Sequence, residues 1–183
     1  MRCRLVGSEM CIRDRNINAE SVINELISIS SPIKEKKTFF VWPEGIIPNT
    51  YEDQLDLYND IFENNFSENH LIGLGITSRK TINNDYDYYN SFSIFDSKVN
   101  LIDNYNKIKL VPFGEFVPIE NILNKFGLKT ITNNIGSFDK GVNRKIIKIQ
   151  DDLKQINFLP LICYEIIYSC LLYTSPSPRD DIS

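Results

Sequence analysis

The chain has 183 residues, a formal charge of −4 at pH 7 and 42% hydrophobic residues. That mild acidity, with no basic stripe, argues against binding nucleic acid through phosphate neutralisation. A single histidine, His70, argues against a Ser-His-Asp or Cys-His enzyme and leaves no Cys/His cluster for zinc.

The two ends stand apart from the rest. Leu5–Arg15 reads LVGSEMCIRDR and Cys170–Asp180 reads CLLYTSPSPRD. Met10–Asp14 back-translates as ATG TGT ATA AGA GAC, and Cys170–Ser175 as TGT CTC TTA TAC ACA TCT. These strings are reverse complements over most of their length. Together they look like the two strands of a transposase sequencing adapter read through in frame. Residues 1–15 and 170–183 are therefore set aside as read-through, leaving a partial domain over 16–169. This removes five arginines (Arg2, Arg4, Arg13, Arg15, Arg179) and four acids (Glu9, Asp14, Asp180, Asp181), so the remainder carries about −5. Cys3, Cys11 and Cys170 go as well. Cys163 alone remains, and no disulfide framework is drawn. No run of eighteen or more apolar residues occurs, so no membrane span is expected within the segment.

Between the ends, Val22, Ile23, Leu26 and Ile27 share one helical face, which predicts a helix over Ala19–Ser28. Thr38–Trp42 is a short apolar run that reads as a strand buried on both faces. Leu55, Tyr58, Ile61 and Phe62 give a second helical stretch over Glu52–Phe66. Strands are expected at Leu71–Thr77, then at Tyr88–Phe95 and Val99–Tyr105 around the turn Asp96-Ser97-Lys98. A short helix is expected over Ile119–Phe126, ended by Gly127. Lys145–Gln150 and Ile156–Ile162 complete the strands. Helix and strand alternate early and hairpins follow, so the class is α/β with a mixed sheet.

Three chemically distinct groups fall at strand ends. Glu44 follows Trp42-Pro43 and is expected to be a general base in a low-dielectric pocket, where burial raises a carboxylate's pKa. Its other reading is a surface acid opening a loop. Lys107 and Lys109 would share a face if their strand continued, and the spacing does not choose between them. Cys163 closes the run Phe158–Ile162; it is either an inert core thiol or a nucleophile, and the latter needs a base or a cation nearby. Tyr164 and Glu165 follow, bringing a carboxylate within reach. Leu110-Val111-Pro112-Phe113-Gly114-Glu115-Phe116-Val117-Pro118 reads as a rigid loop presenting Glu115. His70 is placed in a connecting loop after Asn69. The pair Gly73 and Gly75 lacks the rest of a dinucleotide fingerprint.

The order Trp42-Pro43-Glu44, Tyr105-Asn106-Lys107 with the loop Leu110–Pro118, and Ile162-Cys163-Tyr164-Glu165 resembles the carbon–nitrogen hydrolase (nitrilase) superfamily. The loop, the Ile-Cys-Tyr-Glu ending, Tyr89-Asn90-Ser91 and Gly136-Ser137-Phe138 resemble its apolipoprotein N-acyltransferase branch. The resemblance implies a nitrilase-like αββα sandwich, here truncated at both ends. It implies Glu44 as general base, Lys107 (eight residues before Glu115) as catalytic lysine and Cys163 as nucleophile, with Glu115, Tyr164 and Glu165 supporting. No cofactor or metal is expected. The implied partners of the parent enzyme are a phospholipid acyl donor, an apolipoprotein acceptor and the bacterial inner membrane, reached through N-terminal helices that are missing here, with the catalytic domain on the periplasmic side. The missing strands are expected to leave sheet edges unpaired and this fragment inactive. The alternatives are a soluble amidase acting on a small C–N substrate and a binding domain that has kept the fold.

Overall fold

The computed structural model describes residues 18–82, 85–112, 114–116, 138–150 and 155–168, and the backbone alone at 2–5 and 82. The chain divides into two units. The first comprises Met1–Ser78 and Ser91–Tyr105, the second Arg79–Asn90 and Asn106–Ser183.

In the first unit, helix α1 (Ala19–Ser30) forms where the apolar spacing places it. Asn18 caps it, its side-chain oxygen accepting from the Glu20 N–H at 3.2 Å, which satisfies one orphan donor of the first turn. Glu20 adds a negative charge at the positive end of the helix. Ser31 ends it in a left-handed conformation, its N–H donating to the Ile27 carbonyl; Pro32 follows and prevents another turn. Val22, Ile23, Leu26 and Ile27 all point into the core. Each contributes about 1.5–3 kcal/mol of burial, so packing rather than intrinsic propensity holds the helix.

Strand β2 (Thr38–Trp42) pairs in parallel with β1 (Arg2–Leu5) on one side and β3 (His70–Ile82) on the other. Backbone pairing needs only unblocked N–H and C=O groups, so the place of Arg2–Leu5 on this edge is compatible with a read-through origin of that segment. One edge of β2 is covered by it. Strands β4 (Asp85–Phe95) and β5 (Leu101–Asn106) complete the order β1-β2-β3-β4-β5. The connections after β3 and β4 are too short for parallel crossovers, so these strands run as an antiparallel meander. The Asp96 carboxylate accepts the Lys98 and Asn100 N–H groups and fixes the last turn. The 3-10 helix Glu52–Tyr58 runs into helix α2 (Asn59–Asn65), which replaces the single helix expected there.

The core of this unit joins α1 to Phe40, Trp42, Leu55, Phe62, Phe66, Ile72, Leu74, Ile76 and Phe95. His70 belongs to it. It is fully buried as the first residue of β3 rather than lying in a loop, and it packs edge-on against Phe40 and Phe66. Its Nδ1 accepts the Ser67 N–H and its Nε2 lies 3.0 Å from the Ile33 carbonyl, which fits a ring with its proton on Nε2.

In the second unit, β6 (Ile147–Gln150) and β7 (Gln155–Phe158) form an antiparallel pair. Strand β7 stops four residues short of the expected end at Ile162. Pro160 has no N–H to give to a ladder, and the chain leaves the sheet before Cys163. The mixed parallel and antiparallel sheets with their helices are of the αββα sandwich type. The helix expected over Ile119–Phe126 lies outside the described residues.

The buried Trp42 Nε1–H donates to Ser30 Oγ at 3.0 Å. Ser30→Ala leaves that donor unsatisfied, and urea unfolding should register a loss of about 1–3 kcal/mol.

Candidate active site

The second unit holds a buried polar cluster on the segment that follows β5. Lys107 is 1% exposed, and its Nζ lies 2.8 Å from Glu115 Oε1. Burying an ammonium costs several kcal/mol unless a charge meets it, and Glu115 supplies that charge. The strand ends at Asn106, so Lys107 and Lys109 do not share a strand face: Lys107 is buried and Lys109 exposed. Tertiary packing separates two lysines that the spacing left equivalent.

Glu115 is held from three sides. Oε1 accepts from Lys107 and from Asn90 Nδ2, and Oε2 accepts the Val111 N–H at 2.8 Å. Burial pushes its carboxyl up. The hydrogen bonds from Lys107, Val111 and Asn90, with the Lys107 charge, outweigh that and hold it below the ordinary glutamate value. The backbone is equally constrained: the Glu115 N–H donates to the Val111 carbonyl, and the Phe138 N–H donates to the Glu115 carbonyl. Glu115 is thus no exposed loop acid but the counter-charge of Lys107.

Asn90 is the residue that sequence reasoning missed as a functional group. It is buried in β4, and its carbonyl accepts the Lys107 N–H at 2.8 Å while its amide binds Glu115. The signal was present in Tyr89-Asn90-Ser91, which the resemblance marks as a motif without giving it a role.

Glu165 is fully buried. Its Oε1 accepts the N–H groups of Ile108 and Lys109 at 2.8 and 3.0 Å, and its Oε2 accepts that of Ile162 at 3.0 Å. One carboxylate therefore ties the residues just after Lys107 to the residue just before Cys163. Since both oxygens are engaged in this way, Glu165 is a fastening group.

Cys163 opens the 3-10 helix Cys163–Ile167. It is exposed, which removes the reading of an inert core thiol. Its φ is +52°, a conformation that costs a non-glycine residue roughly 1–2 kcal/mol. Ile162 before it is extended, so the chain turns sharply at the thiol. Such strain persists where the surroundings over-determine it, and the Glu165 bonds on both sides of the turn do so. Tyr164, the next residue, is 55% exposed.

Residues 21–180 match the family described as carbon-nitrogen hydrolase. The chain belongs to that family. Among curated relatives, an apolipoprotein N-acyltransferase of Rhizobium leguminosarum bv. trifolii is 33% identical over 135 residues, covering 73% of this chain and 24% of its own. Another, from Rhizobium rhizogenes, is 32% identical over 153 residues, covering 78% and 27%. The chain spans about a quarter of the length of these relatives. Among solved structures, a NitN amidase from Neterenkonia sp. AN1 has a TM-score of 0.47 at 12% identity, over 90% of this chain and 57% of that one.

For this carbon-nitrogen hydrolase domain, one expectation about Glu44 changes. Glu44 is exposed rather than enclosed in a low-dielectric pocket. The position of Glu44 is nonetheless constrained within the first unit. The Gly45 N–H donates to the Gly75 carbonyl, and a Cβ at Gly75 would come within 2.5 Å of the Glu44 Cα. Gly75 is glycine so that the Glu44 backbone can lie against β3, not as part of a nucleotide fingerprint. Among the described residues no cluster of metal-ligating side chains occurs, and no helix is long and apolar enough to cross a membrane.

Two outcomes are expected. The unfolded chain has the ordinary glutamate value near 4.5 and the folded value of Glu115 is lower. Its stabilising contribution is therefore complete above that pH and is lost as pH falls from there through the folded value. Thermal melting from about pH 7 to about pH 3 should show this slope, and Glu115→Gln should remove that part of it. Separately, Cys163→Gly should be more stable than Cys163→Ala by about 1 kcal/mol in denaturant titration, since only glycine takes the positive φ without strain.

Proposed function

We propose that this domain is the catalytic domain of an N-acyltransferase that moves an acyl chain from a membrane phospholipid to the free α-amine of a diacylglyceryl-cysteine lipoprotein. The observation that carries this reading is the fastening of an exposed, strained cysteine to a buried Lys–Glu–Asn cluster through Glu165. The names of the curated relatives supply the transfer of an acyl group to an apolipoprotein, and the phospholipid donor is what the family resemblance implies.

In this reading Glu44 takes the Cys163 proton, and the thiolate attacks the ester carbonyl. Lys107 stabilises the oxyanion that forms, because a fixed ammonium out of water interacts strongly with developing charge. The C–S bond forms, the ester C–O bond breaks, and the proton held by Glu44 goes to the leaving alkoxide, releasing a lysophospholipid. The lipoprotein amine then attacks the thioester, the amide forms, and its proton passes through Glu44 to the departing thiolate. Glu115 and Asn90 hold Lys107 in place, Glu165 holds the cysteine turn, and Tyr164 is an exposed supporting residue next to the thiol. Dividing the transfer in two is what covalent catalysis offers. The setting is the bacterial inner membrane, with this domain on the periplasmic side.

The family description favours a second reading, a soluble amidase using the same three residues with water as the acceptor. Incubating a chain of the relatives' full length with phospholipid vesicles separates the two. Mass spectrometry should find an acyl thioester on Cys163, discharged by a diacylglyceryl-cysteine peptide faster than by water. Cys163→Ala should abolish the adduct while circular dichroism stays native. An adduct that persists on Cys163→Ala removes the assignment, and discharge by water alone favours the amidase.

A further inference from the structure

Lys107 is bound through its backbone on both sides as well as through its ammonium. Its N–H donates to the Asn90 carbonyl, and its own carbonyl accepts the Gly141 N–H at 2.8 Å. Gly141 ends a four-residue strap, Phe138–Gly141, whose N–H groups reach three separate segments. Phe138 donates to the Glu115 carbonyl, Asp139 to the Tyr88 carbonyl and Gly141 to the Lys107 carbonyl. The Asp139 carboxylate returns a bond by accepting the Tyr88 N–H at 3.2 Å. The strap therefore crosses the strand that carries Asn90, the loop that carries Glu115 and the residue Lys107 itself.

Gly141 is not needed for a left-handed turn, because Gly45 is the positive-φ glycine among the described residues. It is needed for proximity. A Cβ built there would overlap the carbonyl oxygen of Asn106, come within 2.8 Å of its carbonyl carbon and lie 3.1 Å from its Cβ. Two of these atoms are backbone, so no flexible side chain can yield. Any side chain at 141 displaces the Asn106–Lys107 peptide, which sets the origin of the Lys107 side chain.

We infer that Gly141 is a positioning residue for the acyl-transfer reaction, acting through the Asn106–Lys107 peptide to hold the Lys107 ammonium against Glu115. This rests on the function proposed above for Lys107, but its physical content does not. Displacing Lys107 weakens the bond that keeps the Glu115 carboxyl low, whatever reaction the site performs.

The experiment uses a chain of the relatives' full length, as wild type, Gly141→Ala and Val142→Ala. Val142 is 88% exposed and serves as the neighbouring control. The Glu115 carboxyl is titrated by carbon-13 NMR, and thioester formation on Cys163 is timed with phospholipid vesicles. Gly141→Ala should raise the Glu115 titration toward the ordinary glutamate range and lower kcat by about 100-fold, the scale of a displacement near 1 Å, with KM for the vesicles little changed. Val142→Ala should alter neither. A wild-type Glu115 titration in folded Gly141→Ala overturns the inference, as does an equal effect of Val142→Ala. If Gly141→Ala does not fold, glycolic acid in place of Gly141 is used instead. It deletes the N–H that holds the Lys107 carbonyl without adding a Cβ, and it should again raise the Glu115 titration; no shift there likewise overturns the inference. A wild-type chain that forms no thioester defeats the function reading alone, since the Glu115 titration still decides the role of Gly141.

Discussion

The ion pair between Lys107 and Glu115 is the interaction on which the rest of the site depends. An ammonium that is 1% exposed has lost its water, and the lost hydration is several kcal/mol per ion. One carboxylate at 2.8 Å recovers part of that. The rest must come from fixed hydrogen bonds, and three of the described segments supply them. β4 brings Asn90, the Val111–Phe116 loop folds back so that the Val111 N–H meets the carboxylate, and Phe138 and Gly141 hold the backbones of the two charged residues. The same dry setting that makes the pair costly makes a fixed ammonium effective against developing negative charge.

Cys163 shows the opposite economy. It is exposed and conformationally strained where Lys107 is buried and satisfied. Strain at one residue of roughly 1–2 kcal/mol is tolerable only if its neighbours are fastened. The fully buried Glu165 fastens them by accepting backbone N–H groups from Ile162 on one side and from Ile108 and Lys109 on the other. The sequence separation between Lys107 and Cys163 thereby becomes a matter of two short hydrogen-bonded links. Sequential neighbours divide the labour: the thiol faces outward and the carboxylate two positions on faces inward.

Much of the fold was legible because burial imposes periodicity. The helix at Ala19 begins at a capped, apolar-striped segment, and β2 coincides with the uninterrupted run Thr38–Trp42. Departures follow from forces that a local pattern does not record. β3 extends to Ile82 because β4 pairs with it beyond the apolar run. β7 stops at Phe158 although the apolar run continues, because Pro160 cannot serve a ladder. His70 reads as a loop residue by position but is drawn into an aromatic cluster by Phe40 and Phe66. Glu44 sits at the end of a buried strand and is nevertheless exposed, since the loop it opens lies on Gly75 with its backbone inward.

The sequence by itself determined the class of fold, the family and the identities and order of Glu44, Lys107 and Cys163, because residue type and spacing are properties of the chain alone. Only the tertiary structure decided which lysine is buried, that its counter-charge is Glu115, that Asn90 binds both, and that Glu165 fastens the cysteine turn. Desolvation and hydrogen-bond satisfaction are set by what arrives from elsewhere in the chain. Asn90, Glu115 and Gly141 come from three separate stretches, and no local window of sequence contains the field that they create together around Lys107.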